Sequence, residues 1–150
     1  MNYYEINKDT ICLVPIDLNK TKVYELDDEF IVYTPIFNII KDSCLSFGSS
    51  YIGRHDGTKS ILGVSHKAPI IIEESNEIIF FPTTSPRLKV CCWISLKHIK
   101  NYIKKDKETL VNFDNKKSII LPVSSSSFDN QYLHSMMLLM SLKKSKEKMK

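Results

Sequence analysis

Among the residues able to do chemistry, Arg54 has the most informative surroundings. It stands between Gly53 and His55, with Gly57 and Lys59 just beyond. A glycine-flanked arginine on a mobile loop can enter a narrow groove without steric conflict. AT tracts narrow the DNA minor groove and deepen its negative potential, which favours an inserted arginine. A salt bridge to Asp56 or packing on Tyr51 accounts for Arg54 equally well. Just upstream, Gly48-Ser49-Ser50-Tyr51-Ile52-Gly53 looks superficially like a hydrolase elbow. That turn needs G-x-S-x-G, and this spacing has one residue too many, which argues against Ser49 or Ser50 as a nucleophile. The segment also lacks the GK[ST] of a P-loop and the spacing of a dinucleotide fingerprint. Its small side chains and free backbone N–H groups suit an anion such as phosphate.

The remaining reactive residue types form no catalytic or metal pattern. His55, His66, His98 and His134 include no pair with His or Cys at zinc spacing, and no C-x-x-C exists, so neither a metal nor another cofactor is expected. His66-Lys67, ahead of Pro69, can touch DNA or form a turn with a capped imidazole. The four cysteines are Cys12, Cys44, Cys91 and Cys92. Adjacent Cys91 and Cys92 suit a disulfide framework badly, and free, buried thiols are expected. Acids concentrate at 25–29 and 73–77, where solvated loops explain them better than a catalytic pair. The chain is not expected to be an enzyme.

Charge is distributed unevenly. Net charge is +4, yet residues 1–40 hold three lysines against seven acids, and the remainder eighteen Lys or Arg against ten. Arg87, Lys89, Lys97, Lys100, Lys104, Lys105 and Lys107 face the single acid Asp106 within 87–107, and a second basic cluster follows Met140. Clustered positive charge attracts polyanions by field and by counterion release, and a solvated lysine face does so more weakly.

These residues must be positioned by a scaffold of 150 residues, 43% of them hydrophobic, a length and composition that fit one domain over 1–140 with a Lys-rich tail at 141–150. No apolar run is long enough to span a bilayer. Met1-Asn2-Tyr3-Tyr4-Glu5 has no basic stretch leading into an apolar core, so a cytoplasmic location is expected.

Residues 3–14 and 22–34, rich in Ile, Val and Tyr, read as extended. Pro35 opens a short helix with Ile36, Phe37, Ile39 and Ile40 as its apolar stripe, and Gly48 ends it. All four glycines fall within 48–63, which reads as tight turns. Strands are expected at about 58–64, 69–73, 77–81 and 90–94, with Pro82 and Pro86 in a loop. Segment 95–105 fits either a helix capped by Ser95 or a basic irregular strand. A hairpin joins 110–113 to 118–121. A terminal helix, capped by Ser126 or Ser127, places Phe128, Tyr132, Met136, Leu139 and Met140 on one face. The methionines suit core packing or an oligomer contact. The expected fold class is α+β: a mainly antiparallel sheet or small open barrel, with a short internal helix and a covering C-terminal helix.

Phe47-Gly48-Ser49-Ser50-Tyr51-Ile52-Gly53-Arg54 resembles the FGSSYxGR signature of competence transcription factors of the ComK type. In register follow Gly57-Thr58, Ser65-His66-Lys67-Ala68-Pro69-Ile70, Phe81-Pro82-Thr83-Thr84-Ser85, Cys91 with Trp93-Ile94-Ser95, Leu121-Pro122-Val123-Ser124, and Phe128-Asp129-Asn130-Gln131. The match covers most of residues 3–140. The resemblance implies a bacterial activator of DNA-uptake genes that binds paired AT-rich promoter boxes, largely through the minor groove, as a homo-oligomer. It also implies a proteolytic adaptor, read through a C-terminal tail some forty residues beyond the length of this chain. This chain stops in Lys-rich sequence at Lys150, so the adaptor is kept only as a possible partner, and a truncated paralogue modulating a full-length relative is the alternative expectation. The residues expected to meet DNA, on physical grounds, are Arg54, Lys59, His66, Lys67, Arg87, Lys89, Lys97 and Lys100. Arg54 would read groove shape while the lysines neutralise phosphates.

Overall fold

Period-two burial sets the architecture. In a computed structural model, which describes residues 1–149, strand β1 (Thr10–Asp17) alternates its side chains between two covered faces. It pairs with β2 (Lys20–Glu25), which pairs with β3 (Glu29–Val32). On its other side β1 meets β6 (Trp93–Ser95), then β5 (Ile78–Pro82) and β4 (Ile70–Glu73). The result is an antiparallel six-stranded sheet in the order β3-β2-β1-β6-β5-β4. A second antiparallel sheet contains β7 (Ile99–Lys105), β8 (Glu108–Phe113) and β9 (Ser118–Leu121). Among the described residues three α-helices complete the fold: α1 (Ile36–Ser46), α2 (Tyr51–Leu62) and α3 (Ser125–Lys148). The α+β expectation with open, mainly antiparallel sheets and a C-terminal helix holds.

The six-stranded sheet is covered on both faces. Leu13, Val23, Phe80 and Trp93 pack toward Ile39, Ile40 and Cys44 of α1. The alternate residues Cys12, Phe81 and Ile94 pack toward Val111, Phe113 and Phe128 of the second sheet and α3. This is why β5 is buried at every position: a strand covered twice reads as a continuous apolar run.

Several expectations need correction. The glycine-rich stretch is not a set of turns, and 58–64 is not a strand: Gly53 and Gly57 lie inside α2. The helix survives two glycines because both ends are capped. Ser50 Oγ accepts from the Gly53 N–H at 2.9 Å, and Gly63, at φ 71°, closes the C-terminus in the left-handed region that glycine tolerates. Pro82 belongs to β5 rather than a loop. Segment 95–105 resolves into a 3-10 turn, Leu96–His98, followed by β7, without a side-chain cap from Ser95. Ser124 caps α3, accepting from the Ser127 N–H at 3.2 Å, in place of Ser126 or Ser127. The helix continues through the Lys-rich stretch to Lys148. Its inward face carries Phe128, Gln131, Ser135, Leu138 and Leu142, whereas Met140 is exposed. Among the described residues no helix is long and apolar enough to cross a membrane.

Candidate nucleic-acid interface

Strand β4 is only four residues long, and cationic groups gather at both of its ends. Ahead of it, the chain from Ser65 to Ala68 meets the Ser85–Arg87 loop across a hollow of about 310 Å³. His55 of α2, His66, Lys67 and Arg87 line this hollow, together with Phe37, Tyr51, Ser65 and Ser85, and no carboxylate does. Its shape is fixed from behind. His55 Nε2 lies 2.8 Å from the Ser65 carbonyl oxygen. Thr58 Oγ1 donates to the Pro69 carbonyl at 2.6 Å. Gln131, buried in α3, donates from Nε2 to the carbonyls of Lys67 at 2.7 Å and Pro82 at 2.8 Å. Lys67 itself sits at φ 53°, a left-handed conformation uncommon for a side-chain-bearing residue, and the Gln131 bond is what anchors it.

At the far end of β4 lies the acidic turn 73–77. Arg54 Nη1 contacts Glu74 Oε1 at 2.7 Å, and the Arg54 side chain is only 15% exposed. Lys97 Nζ donates to the Asn76 carbonyl at 3.2 Å. Lys146 Nζ donates to the Ser75 carbonyl at 3.2 Å and lies 3.7 Å from Glu77 Oε2. One short turn therefore holds α2, the 3-10 turn and α3. Burial pushes the Glu73 carboxyl up, but bonds from the Asn76 and Ser75 amides outweigh it and hold the group below its ordinary value.

The second acidic segment behaves alike. Glu29 sits 3.0 Å from Lys117 Nζ and 3.3 Å from Lys22 Nζ, and these partners lower its pKa. Asn115 adds a 2.7 Å bond to the Leu26 carbonyl, tying the β8–β9 hairpin to the β2–β3 turn. Both acidic segments are thus structural anchors rather than merely solvated loops.

The eight expected DNA-contacting residues divide accordingly. His66, Lys67 and Arg87 converge on the hollow. Arg54 stands on a helix rather than a mobile loop, and its partner is Glu74 rather than Asp56. Its Nε is buried without a hydrogen-bond partner. Lys59 projects from the exposed side of α2. Lys97 belongs to the anchored turn. Lys89 lies against the β1–β2 hairpin beside Ile16 and Leu18, and Lys100 is exposed on β7, an edge of the second sheet. Lysines on an edge strand also discourage strand-to-strand aggregation. His55 and Gln131 escaped sequence reasoning as site residues. The signal for Gln131 was a long polar side chain on a helix face otherwise carrying apolar residues and one serine; none pointed to His55.

The thiols follow expectation. All four cysteines are free and buried; burial pushes Cys44 up to about 11 and Cys92 to about 12. Among the described residues no cluster of His, Cys, Asp or Glu could hold a metal ion.

Comparison with known proteins adds two matches. The family model described as ComK protein matches residues 1–147. The competence transcription factor of Bacillus subtilis (strain 168) is 40% identical over 132 residues, which is 85% of this chain and 69% of that protein. No solved structure matches.

Proposed function

This chain belongs to the ComK protein family, and from that premise we propose that it is a DNA-binding transcription factor of competence genes, engaging AT-rich promoter boxes largely through the minor groove. The observation that carries this reading is the hollow where His66, Lys67 and Arg87 converge and, among the described residues, no carboxylate lines the wall; His55 is already partnered, its Nδ1 4.0 Å from Asp56 Oδ1. Cations already neutralised within a protein have little left for a polyanion, whereas a converging unpaired set holds a backbone phosphate and releases its counterions. Lys67 and Arg87 supply charge, and His66, Ser65 and Ser85 supply further polar contacts. Lys59, Lys89 and Lys100 add phosphate contacts along the duplex, which position the protein without reading sequence, whereas Lys97 is held by the Asn76 carbonyl. Arg54 joins that surface only when its ion pair with Glu74 opens.

A gel-shift series tests the reading. A duplex with two spaced AT boxes is expected to bind more tightly than GC-rich DNA of equal length, with affinity falling steeply as salt rises. Equal affinity for both duplexes at moderate salt rejects it.

A second reading, modulation of a relative through mixed assembly, has its own support. Leu133, Met137 and Met140 are 52%, 52% and 57% exposed and recur at helical spacing on α3. An apolar stripe of that kind suits self-association or pairing with a relative. Co-purification with a relative, without DNA binding by this chain alone, favours this second reading.

A further inference from the structure

Beside the cationic hollow lies a surface of opposite character. Phe37 and Tyr51 line both, their rings packed edge-on at 4.8 Å. Beyond them Leu45, Ile52 and the stem of Lys41 wall a shallow, almost wholly apolar depression of about 360 Å³. Ile52 is 71% exposed and Leu45 63%. Among the described large hydrophobic residues only Met149 is more exposed than Ile52. A β-branched side chain pointing into water from the first turn of a helix contributes nothing to the fold: Ile52 is poor for helix propensity and absent from both core clusters. Its helix is nonetheless firmly held, by the Ser50 cap at 2.9 Å and the Thr58 bond to Pro69 at 2.6 Å.

We propose that Ile52, backed by Leu45, is a wedge that enters between base steps of the minor groove while the adjoining hollow holds the DNA backbone. This rests on the DNA-binding reading above. Charge complementarity selects the occupant. The depression is continuous with four basic or imidazole side chains on one side, and Lys41 stands in its own wall, its amine 5.6 Å from the Phe37 ring. A phosphate backbone satisfies those cations; an apolar protein partner leaves them unanswered. Apolar side chains pushed between base steps unstack them and bend the duplex toward the major groove, so that more protein surface is covered. Flexible pyrimidine–purine steps within AT-rich DNA resist such entry least. Asp56, exposed one turn beyond Ile52 on α2, brings Oδ1 to 4.0 Å from His55 Nδ1, so the backbone is held by Lys67, Arg87 and Lys41 rather than by His55.

The test uses the full chain and an AT-box duplex carrying end labels for energy transfer, with 2-aminopurine at successive adenines of one box. The wild-type protein is expected to raise 2-aminopurine fluorescence at one step and to shorten the end-to-end distance. Ile52→Ala is expected to abolish the first signal and reduce the second, with affinity lower by about tenfold and an unchanged salt slope. Leu45→Ala produces the same changes more weakly. Both residues are exposed, so thermal melts of the variants should match the wild type. If the wild-type protein binds AT and GC duplexes equally or not at all, the DNA-binding reading itself fails. If it binds the AT duplex selectively but Ile52→Ala unstacks and bends it as before, the wedge is wrong and the DNA-binding reading stands. If Ile52→Ala instead changes the sedimentation of the free protein, the Leu45–Ile52 surface is a protein contact and the wedge is equally wrong.

Discussion

The two ends of β4 carry cations in opposite states. Before Ile70, Lys67 and Arg87 look into a hollow that contains no acid. After Glu73, Arg54, Lys97 and Lys146 are held by one acidic turn. A composition-level reading treats all these residues as one basic face. The structure separates cations that hold the molecule together from cations that remain available to a partner. An ion pair within the protein must be broken before DNA can use its charge, and the cost of breaking it offsets much of the new contact. Position in the fold, more than the number of lysines, therefore decides which of them bind.

Charge reversal gives the largest effect and the most direct way to break this contrast. Lys67→Glu with Arg87→Glu is expected to lower DNA affinity on the order of 100-fold at low salt and to flatten the salt dependence by about two phosphate contacts. Lys97→Glu, at the other end of β4, should cost far less affinity. Equal losses from the two sites, measured by fluorescence anisotropy across a salt series, would show that the hollow has no special role. Next in size is the support behind the hollow. Gln131→Leu leaves the Lys67 and Pro82 carbonyls without their donor, and a buried acceptor stranded in this way costs about 1–3 kcal/mol. Urea melts should show that loss, and DNA affinity should fall with it because Lys67 loses its anchor. A destabilised variant that binds DNA as tightly as the wild type would separate Gln131 from the site.

What could be read from the sequence follows the same division. Strands with period-two burial, the α1 stripe and the apolar face of α3 were legible because their patterns are local. Helix α2 was not: it buries only Thr58 and contains two glycines, so no apolar period reports it. Its signals lay at the ends, in Ser50 and Gly63, and glycine clustering masked them. The hollow was half legible. His66, Lys67 and Arg87 stood out by type, but twenty residues separate Lys67 from Arg87, and only the β4–β5 hairpin brings them together. The pairing of Arg54 with Glu74 has the same origin: a contact set by topology leaves no trace in spacing.

A smaller effect probes whether Arg54 can cross from one class to the other. Glu74→Gln removes its partner and should raise affinity for the AT duplex by roughly fivefold, the scale of a partly exposed ion pair. In an Arg54→Ala background the same substitution should change affinity little. Removing a negative charge anywhere near the interface also helps DNA binding, and the double-mutant cycle separates the two effects. An equal gain in both backgrounds would mean that Arg54 stays locked and acts only as an anchor.

The smallest expected effect belongs to the other acidic anchor, Glu29 with Lys117. The folded-state pKa of Glu29 is lowered by its lysine partners, so the unfolded chain binds its proton first as pH falls. The pair's contribution is complete above the ordinary carboxylate range and disappears as pH drops through the lowered value. Lys117→Met should therefore lower the thermal midpoint at neutral pH, and the gap from wild type should narrow on acidification. It should not close fully. Lys117 Nζ also donates to the carbonyls of Glu25 at 3.4 Å and Asp28 at 3.3 Å, and those bonds do not titrate. A gap independent of pH would assign the anchor to the carbonyl bonds alone. DNA affinity should be unchanged throughout, because this turn, like 73–77, uses its charge within the molecule.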